Sequence, residues 1–519
     1  MTARFQFEHS VAFAPDNAAE ILRAIPALPG VFALHGPRVE GQPEAEPYLT
    51  RAADLRRRIT RILAPPEPSA DGRPAQSKRL NLRSRVARIE YTITGSEFES
   101  TLTIYYAASA IFGLAEARRR LRLRTPFFLR FTADNAYPRV YSTNRLNKRA
   151  LSTTYGPFPS RAAADRYCDA VLDLFKLRRC VEDLAPYPEH PGCVHQEMKK
   201  CLAPCNQACT PEGAAAYAAE AAAVQAFFST HGESMLAPLT AEREAASAEL
   251  DFERAARVHE QWQKVKAAQS LADELVQPIP NLRAMLVQKA AKPEPSDTEP
   301  EPTAAVFLLQ SGCITGPARL STLGIRAVKE QTSVGSSLFA QPLMLEAVPL
   351  AEETQPTTET GAPHLETEMW VSATSASSAA APTLSPELRA TNLIASLERQ
   401  TSTPTDLATL SDHLSLLRRW YYRPEKQRVG EVFFPREDSS WPIRRILRGA
   451  ARMALGDPKP MAETQRDLAT RNPADAAPKP TRTKTLHPNR PEVERTVPAL
   501  DKNPEAPPAF KSRRKPQPT

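Results

Sequence analysis

Four of the seven cysteines crowd together as Cys180, Cys193, Cys201 and Cys205, spaced C-x12-C-x7-C-x3-C. Thiols gathered at such spacing hold either a metal centre or a disulfide framework. The stretch must therefore fold so that they converge. No long apolar run near the roughly 18 residues of a bilayer span occurs. The opening MTARFQFEHSVAFAPDN carries charge early and lacks the apolar core of a secretory signal. A cytoplasmic, reducing location is expected, and there thiols ligate metal rather than pair. Cys168 and Cys313 sit in apolar patterns and read as core residues.

The spacing leaves the metal open between structural zinc and an iron–sulfur cluster. Zinc prefers paired C-x2-4-C knuckles, whereas iron–sulfur sites accept uneven spacing. Arg178, Arg179, Lys199 and Lys200 flank the thiols, and their charge would offset thiolates or meet phosphates. The net charge of +8 is spread over a chain also rich in acids, so it says little alone.

The 519 residues and 50 prolines point to an α+β multidomain chain with linkers, not one compact unit. Pro29–Leu34 and Tyr48–Leu49 read as strands, followed by a basic helix from Ala52 to Leu63. Val86–Thr94 reads as a strand and Glu97–Arg124 as one long helix. Residues 126–142 alternate as strands do. Tyr155-Gly156-Pro157-Phe158-Pro159 reads as a turn and Ser160 as a helix N-cap. An Ala-rich helix over 212–230 presents Tyr217, Val224, Phe227 and Phe228. Residues 234–275 form two helices, and 304 onward a hairpin turning at Ser311-Gly312. The organisation expected is 20–125, a helical region over 126–232 around the cysteines, a helical hairpin over 234–275, a linker at 276–303, and a small β-containing region over 304–455 with a low-complexity insert at 351–386. Residues 456–519 form a disordered Pro-rich and basic tail.

The run TYGPFPSRAAADRYCDAVLDLFKLRRC, followed by HPGCVHQEMKKCLAPC, closely resembles the central region of the UvrC family. These are the nuclease subunits of the bacterial UvrABC excinuclease. The resemblance implies a [4Fe–4S] cluster on the four cysteines, with zinc as the alternative. Leu250-Asp251-Phe252-Glu253-Arg254-Ala255-Ala256 resembles the UVR motif that pairs with UvrB. The resemblance implies a helical hairpin in which Leu250, Phe252, Ala255, Ala256 and Trp262 meet the partner. Leu250, Ala255, His259, Trp262 and Val265 recur at helical spacing, with Leu236 and Leu239 on the preceding helix.

Upstream, Pro29-Gly30-Val31-Phe32 and Tyr48-Leu49-Thr50-Arg51 resemble the two halves of a GIY-YIG nuclease signature, and Ala52–Arg58 its helix. The resemblance implies Tyr48 and Arg58 as catalytic residues of a small α/β domain. Two positions depart from it. Phe32 stands where the first tyrosine is expected, and Ile104 falls in register with the metal-binding glutamate; Glu116 falls at a later asparagine. Tyr48 and Arg58 are thus expected to be vestigial, and Mg²⁺ is needed only if the site works. Glu97 and Glu99 lie nearby. Arg51, Arg56, Arg57, Lys199 and Lys200 are candidate DNA contacts. Beyond about 455 the remaining residues are too few and too simple for the ribonuclease-H-like domain of the family.

The reading is a UvrC-like subunit of nucleotide excision repair that binds DNA and UvrB without full dual incision. The alternatives are an active single-incision endonuclease and a zinc-stabilised adaptor.

Overall fold

The computed structural model describes residues 5–38, 45–65, 80–292, 301–325, 385–400, 406–424 and 427–456. The expected insert at 351–386 lies outside the described residues up to 384, its last two positions leading into a helix, and the expected tail at 456–519 lies outside them from 457 on. Three four-stranded antiparallel sheets organise the rest.

The first sheet has the order β1-β4-β2-β3, built from β1 (His9–Ala12), β2 (Gly30–His35), β3 (Tyr48–Ala52) and β4 (Arg88–Ile93). Strand β2 is buried on both faces, as its unbroken apolar run requires. Helices α1 (Ala18–Ala24) and α2 (Leu55–Leu63) cover one face, where Leu22 and Ile59 pack on Phe32 and Leu34. Helix α3 (Glu97–Phe112) covers the other. The basic helix starts at Leu55 rather than Ala52 because Asp54 caps it, its carboxylate accepting the Arg57 N–H at 2.8 Å. The long helix expected over 97–124 breaks at Gly113, whose φ of 81° ends α3. Helix α4 (Leu114–Arg120) follows, and Glu116 within it pairs with Arg119 and Arg120.

The second sheet has the order β6-β5-β7-β8, from β5 (Phe127–Phe131), β6 (Val140–Thr143), β7 (Thr154–Phe158) and β8 (Gln277–Pro278). The segment read as a turn at Tyr155–Pro159 is therefore a strand, paired with β5 and β8. A 3-10 segment, Lys148–Thr153, leads into it. Helix α5 (Arg161–Leu174) starts at Ser160, whose hydroxyl accepts the Ala163 N–H at 3.2 Å. It packs with α8 (Pro211–Ser229) over Leu129, Phe131 and Phe158, burying Tyr167, Val171, Tyr217, Val224, Phe227 and Phe228. Between them lie two single-turn helices, α6 (Val194–Glu197) and α7 (Pro204–Gln207). The cysteine segment is mostly loop, where a helical region was expected, because four thiols drawn to one side cannot lie along a straight helix. Cys168 and Cys313 are buried, and burial raises their thiols to about 12 and about 11.

Helices α9 (Glu233–Ala248) and α10 (Phe252–Gln269) form an antiparallel hairpin. The expected linker then corrects to structure. Its first half holds β8 and β9 (Arg283–Lys289), because Ala-Met-Leu-Val is a strand-forming run that both neighbouring cores can bury. The third sheet has the order β11-β10-β9-β12, with β10 (Thr303–Gln310), β11 (Cys313–Ser321) and β12 (Glu431–Phe433). Alternation sorts its residues. Met285, Val287, Val306 and Leu308 face helices α11 (Pro386–Gln400) and α13 (Ile443–Leu455). Leu286, Phe307 and Leu309 face α12 (Leu407–Tyr421) and the α3 residues Phe98, Leu102 and Tyr105. No helix among the described residues is long and apolar enough to cross a membrane.

Candidate functional site

The cysteine loop is held from both ends. After α5 the chain runs along α8, with the Lys176 N–H donating to Glu220 at 2.5 Å and the Arg178 N–H to the Tyr217 hydroxyl at 3.0 Å. The second half returns to it, the Leu202 N–H donating to the Lys176 carbonyl and the Tyr187 N–H to the Cys205 carbonyl, both at 3.0 Å. Ala203 takes a left-handed φ of 48°, and its N–H meets the Cys201 sulfur at 3.3 Å. Pro204, at the first position of α7, fixes the turn that separates the last two cysteines.

Cys201 and Cys205 are buried, Cys180 is half-buried and Cys193 exposed. Burial pushes the Cys201 thiol up to about 11, and the thiols of Cys193, Cys180 and Cys205 add to it. Burial likewise raises Cys205, with Cys193 and Cys180 contributing. The four sulfurs thus lie within electrostatic reach of one another. Among the described residues, no three His, Cys, Asp or Glu side chains stand in a ready-made ligand shell. The loop gathers the thiols without closing them around a centre.

Arg178 is the charged member of this site, at 4% exposure. Its guanidinium donates to the carbonyls of Tyr137 and Glu182 at 2.9 and 2.8 Å and lies 3.8 Å from the Cys180 sulfur. A buried cation without a carboxylate among these contacts needs negative charge nearby, and thiolates would supply it. Arg139 adds a bond to the Cys180 carbonyl at 3.2 Å. Neither Arg139 nor the Tyr217 hydroxyl was expected here. Their partners lie 41 and 39 residues along the chain, so no local pattern announces them.

The flanking cations divide. Lys200 pairs with Asp173 at 3.3 Å, and Arg179 binds the same carboxylate at 2.8 Å. Lys199 is exposed with a φ of 55°.

The α9–α10 hairpin turns at Leu250, whose φ is 61°. Asp251 caps α10 by accepting the Arg254 N–H at 3.0 Å. Leu250 and Phe252 are 72% and 66% exposed at this tip, well above what two large apolar side chains in an intramolecular core would show. The inward face carries Val258, Val265 and Ala268 against Leu236 and Ala246. The expected stripe is corrected accordingly: it keeps Val265, while Ala255 and His259 are only half-buried. Ala256 points out to solvent. The core beneath the hairpin selects the face, and a rotation of one residue moves a helical stripe by 100°. Trp262 is half-buried, stacked on His259 at 5.9 Å, with Arg243 over its ring at 5.8 Å.

In the first sheet, the Arg58 guanidinium reaches the Tyr48 hydroxyl at 3.5 Å, and Phe32 lies 6.3 Å from the Tyr48 ring. Tyr48, Phe32 and Arg58 thus meet on the α2 face. Arg51, three residues beyond Tyr48, points to the opposite face by strand alternation. There it bonds Glu97 at 3.2 Å and Thr101 at 2.9 Å. Arg423, just past α12, clasps the same Glu97 with bonds of 2.6 and 3.0 Å. These arginines hold the Glu97 carboxyl below its ordinary value, the Arg423 bond being the largest cause. Glu97 therefore serves Arg51 and Arg423 rather than the Tyr48–Arg58 pair. Ile104 is half-buried in α3 and offers no ligand. Arg56 bonds the Ile25 carbonyl at 2.6 Å, tying α2 to the end of α1, whereas the Arg57 side chain is exposed.

Residues 127–227 match the family model of the UvrC/Cho excinuclease middle domain, and residues 233–268 that of the UvrB/uvrC motif. Among curated relatives, the UvrABC system protein C of Haloarcula marismortui is 28% identical over 270 residues, half of this chain and 42% of that protein. The Pseudomonas syringae protein of the same name is 31% identical over 183 residues, 35% of this chain and 28% of its own. That of Aliivibrio salmonicida is 24% identical over 255 residues, covering 49% and 39%. No solved structure matches. The chain spans about two fifths or less of the length of these relatives. Two segments of the chain, residues 127–227 and 233–268, are thus similar to the middle domain and the UVR motif of UvrC proteins.

Proposed function

We propose that this chain serves nucleotide excision repair as a UvrC-type subunit that binds DNA and docks onto UvrB through the α9–α10 hairpin. The observation that carries the reading is the bare apolar tip, Leu250 and Phe252, within the matched UvrB/uvrC motif. Each large side chain buried there is worth about 1.5–3 kcal/mol, and a second helical pair of like pattern is a suitable cover. Cys180, Cys193, Cys201 and Cys205 would hold a [4Fe–4S] cluster. What supports this reading is that the loop brings the four thiols within electrostatic reach of one another, with an N–H at the Cys201 sulfur and the Arg178 cation beside Cys180. When bound, the cluster would fix the loop as a crosslink between the α5 and α8 flanks. Zinc is the alternative on the same residues.

Full dual incision is not part of the reading, because Phe32 and Ile104 lack the hydroxyl and carboxylate that a GIY-YIG site uses. The Tyr48–Arg58 contact favours a second reading, a residual single-incision nuclease. Cleavage of duplex DNA with Mg²⁺ or Mn²⁺ that disappears in Arg58→Ala would establish it and remove the scaffold reading. For UvrB docking, titration of labelled UvrB should show saturable binding that Phe252→Asp abolishes; equal binding by the variant would refute the hairpin interface. Anaerobic purification should give a brown protein with visible absorption, and a colourless protein with stoichiometric zinc would transfer the site to zinc.

A further inference from the structure

Three of the basic residues that the sequence nominates for DNA have partners within the chain: Arg51 pairs with Glu97, Arg56 bonds the Ile25 carbonyl and Lys200 pairs with Asp173. A different surface collects cations with little to neutralise them. Strand β6 is the edge of its sheet. Its inner face turns Ser142 to Asp165 of α5 through a hydrogen bond. Alternation sends Arg139, Tyr141, Thr143 and Arg145 to the outer face. The register sets Arg130 of β5 directly beside Tyr141.

The 3-10 segment Lys148–Thr153 closes the floor, with Arg130 donating to the Ala150 carbonyl at 2.7 Å. The result is an open cleft of about 450 Å³ lined by Arg130, Tyr141, Thr143, Arg145, Leu146 and Asn147. Arg139 lies over the Tyr141 ring at 4.7 Å, and Lys148 and Arg149 stand exposed at the rim. Among the described residues, the carboxylates facing these cations are Asp134, 3.9 Å from Arg130 and 74% exposed, and Asp406, near Lys148. The side chains of Arg145 and Arg149 meet no carboxylate among the described residues.

We infer that this cleft holds the phosphodiester backbone of a DNA strand. The inference rests on the DNA-binding reading and gives it a location. A groove with several uncompensated cations and neutral donors from Thr143 and Asn147 matches a repeating anion. It is too polar and open to enclose an apolar molecule. Arg139 also joins the cleft to the cysteine loop, since the same side chain bonds the Cys180 carbonyl.

The test is binding of the full chain to a fluorescently labelled DNA duplex and to one of its single strands, each across a salt series. The double variant Arg145→Glu/Arg149→Glu changes only exposed side chains, and circular dichroism checks its fold. Affinity at low salt is expected to fall at least about tenfold, and the salt slope to drop by about 0.9 per lost phosphate contact on duplex or about 0.7 on single strand. The probe with the larger loss identifies the form held. Arg399→Glu on α11 makes the same kind of charge change elsewhere and should keep the wild-type slope. Wild-type affinity and slope in the double variant on both probes would overturn the cleft while leaving DNA binding intact. Absence of salt-dependent binding by the wild type would overturn both readings.

Discussion

Replacing Glu99 by glutamine should make the protein more stable by an amount that grows as pH rises from about 4.5 to about 7 and then levels off. Glu99 lies in the first turn of α3 at 7% exposure. Its carboxylate accepts the Gly95 N–H at 2.7 Å, while the Ser96 hydroxyl accepts the Glu99 N–H at 3.1 Å, so the pair closes the helix start much as a capping box does. Burial is the largest influence and raises the carboxyl from 4.5 to about 7, against the Gly95 bond and the Arg319 charge. A raised acid holds its proton more tightly in the folded state. Its contribution is therefore fully present below the unfolded value and lost as pH climbs through about 7. The gap corresponds to about 3 kcal/mol at 1.36 kcal/mol per pH unit. Glutamine keeps an acceptor for Gly95 and has nothing to ionise. Urea unfolding followed by tryptophan fluorescence should show the variant's advantage growing by about 2–3 kcal/mol between pH 5 and pH 8. Asp412, raised to about 6, and His413, lowered to about 4, titrate in both proteins and cancel in the difference. A variant whose stability change is the same at both pH values, or which is weaker at the higher one, would refute the argument.

Two further substitutions probe the core and the cysteine loop. Phe307→Ala removes a fully buried ring packed edge-on against Phe98 at 5.2 Å, and should cost about 3–5 kcal/mol in denaturant unfolding. Arg178→Met leaves the Tyr137 and Glu182 carbonyls without their donor and should cost about 2–4 kcal/mol. It should also lower the metal retained through gel filtration, as read by elemental analysis. Undiminished metal content would show that the cation has no part in charge balance.

What could be read from the chain was local. Ser160 and the Ala-rich stripe of α8 announce themselves through neighbours a few residues away, and they form as their patterns require. Gly113 was a visible breaker that the continuous periodicity around it masked. The Tyr155–Pro159 segment carries every mark of a turn, yet β5 and β8 recruit it into a sheet, a partnership between residues far apart in sequence. The same holds for β9, where a short apolar run beside a Pro/Glu-rich stretch looked like a linker until β10 paired with it. In the cysteine loop the spacing revealed which residues belong together. It could not reveal that Arg178 is buried beneath them, because arginines at that density ordinarily lie in solvent. Arg51 and Arg56 looked like available cations for a similar reason. Their internal partners, Glu97 and the Ile25 carbonyl, are set by the packing of helices on a sheet rather than by any motif.

The clasp of Arg423 on Glu97 has a consequence for how such a chain can change over time. Helix α3 lends Phe98, Leu102 and Tyr105 to the same core as Phe307 and Trp420, and the clasp sits at the edge of that seam. A mutation that silences chemistry on the first sheet leaves this seam intact, while a deletion of the first 120 residues would strip it bare. Change can therefore accumulate at Tyr48 and Arg58 without the N-terminal module itself being discarded. Heritable loss of function and heritable loss of sequence are uncoupled there, and the residues along the seam should drift more slowly among descendants than those beside Tyr48.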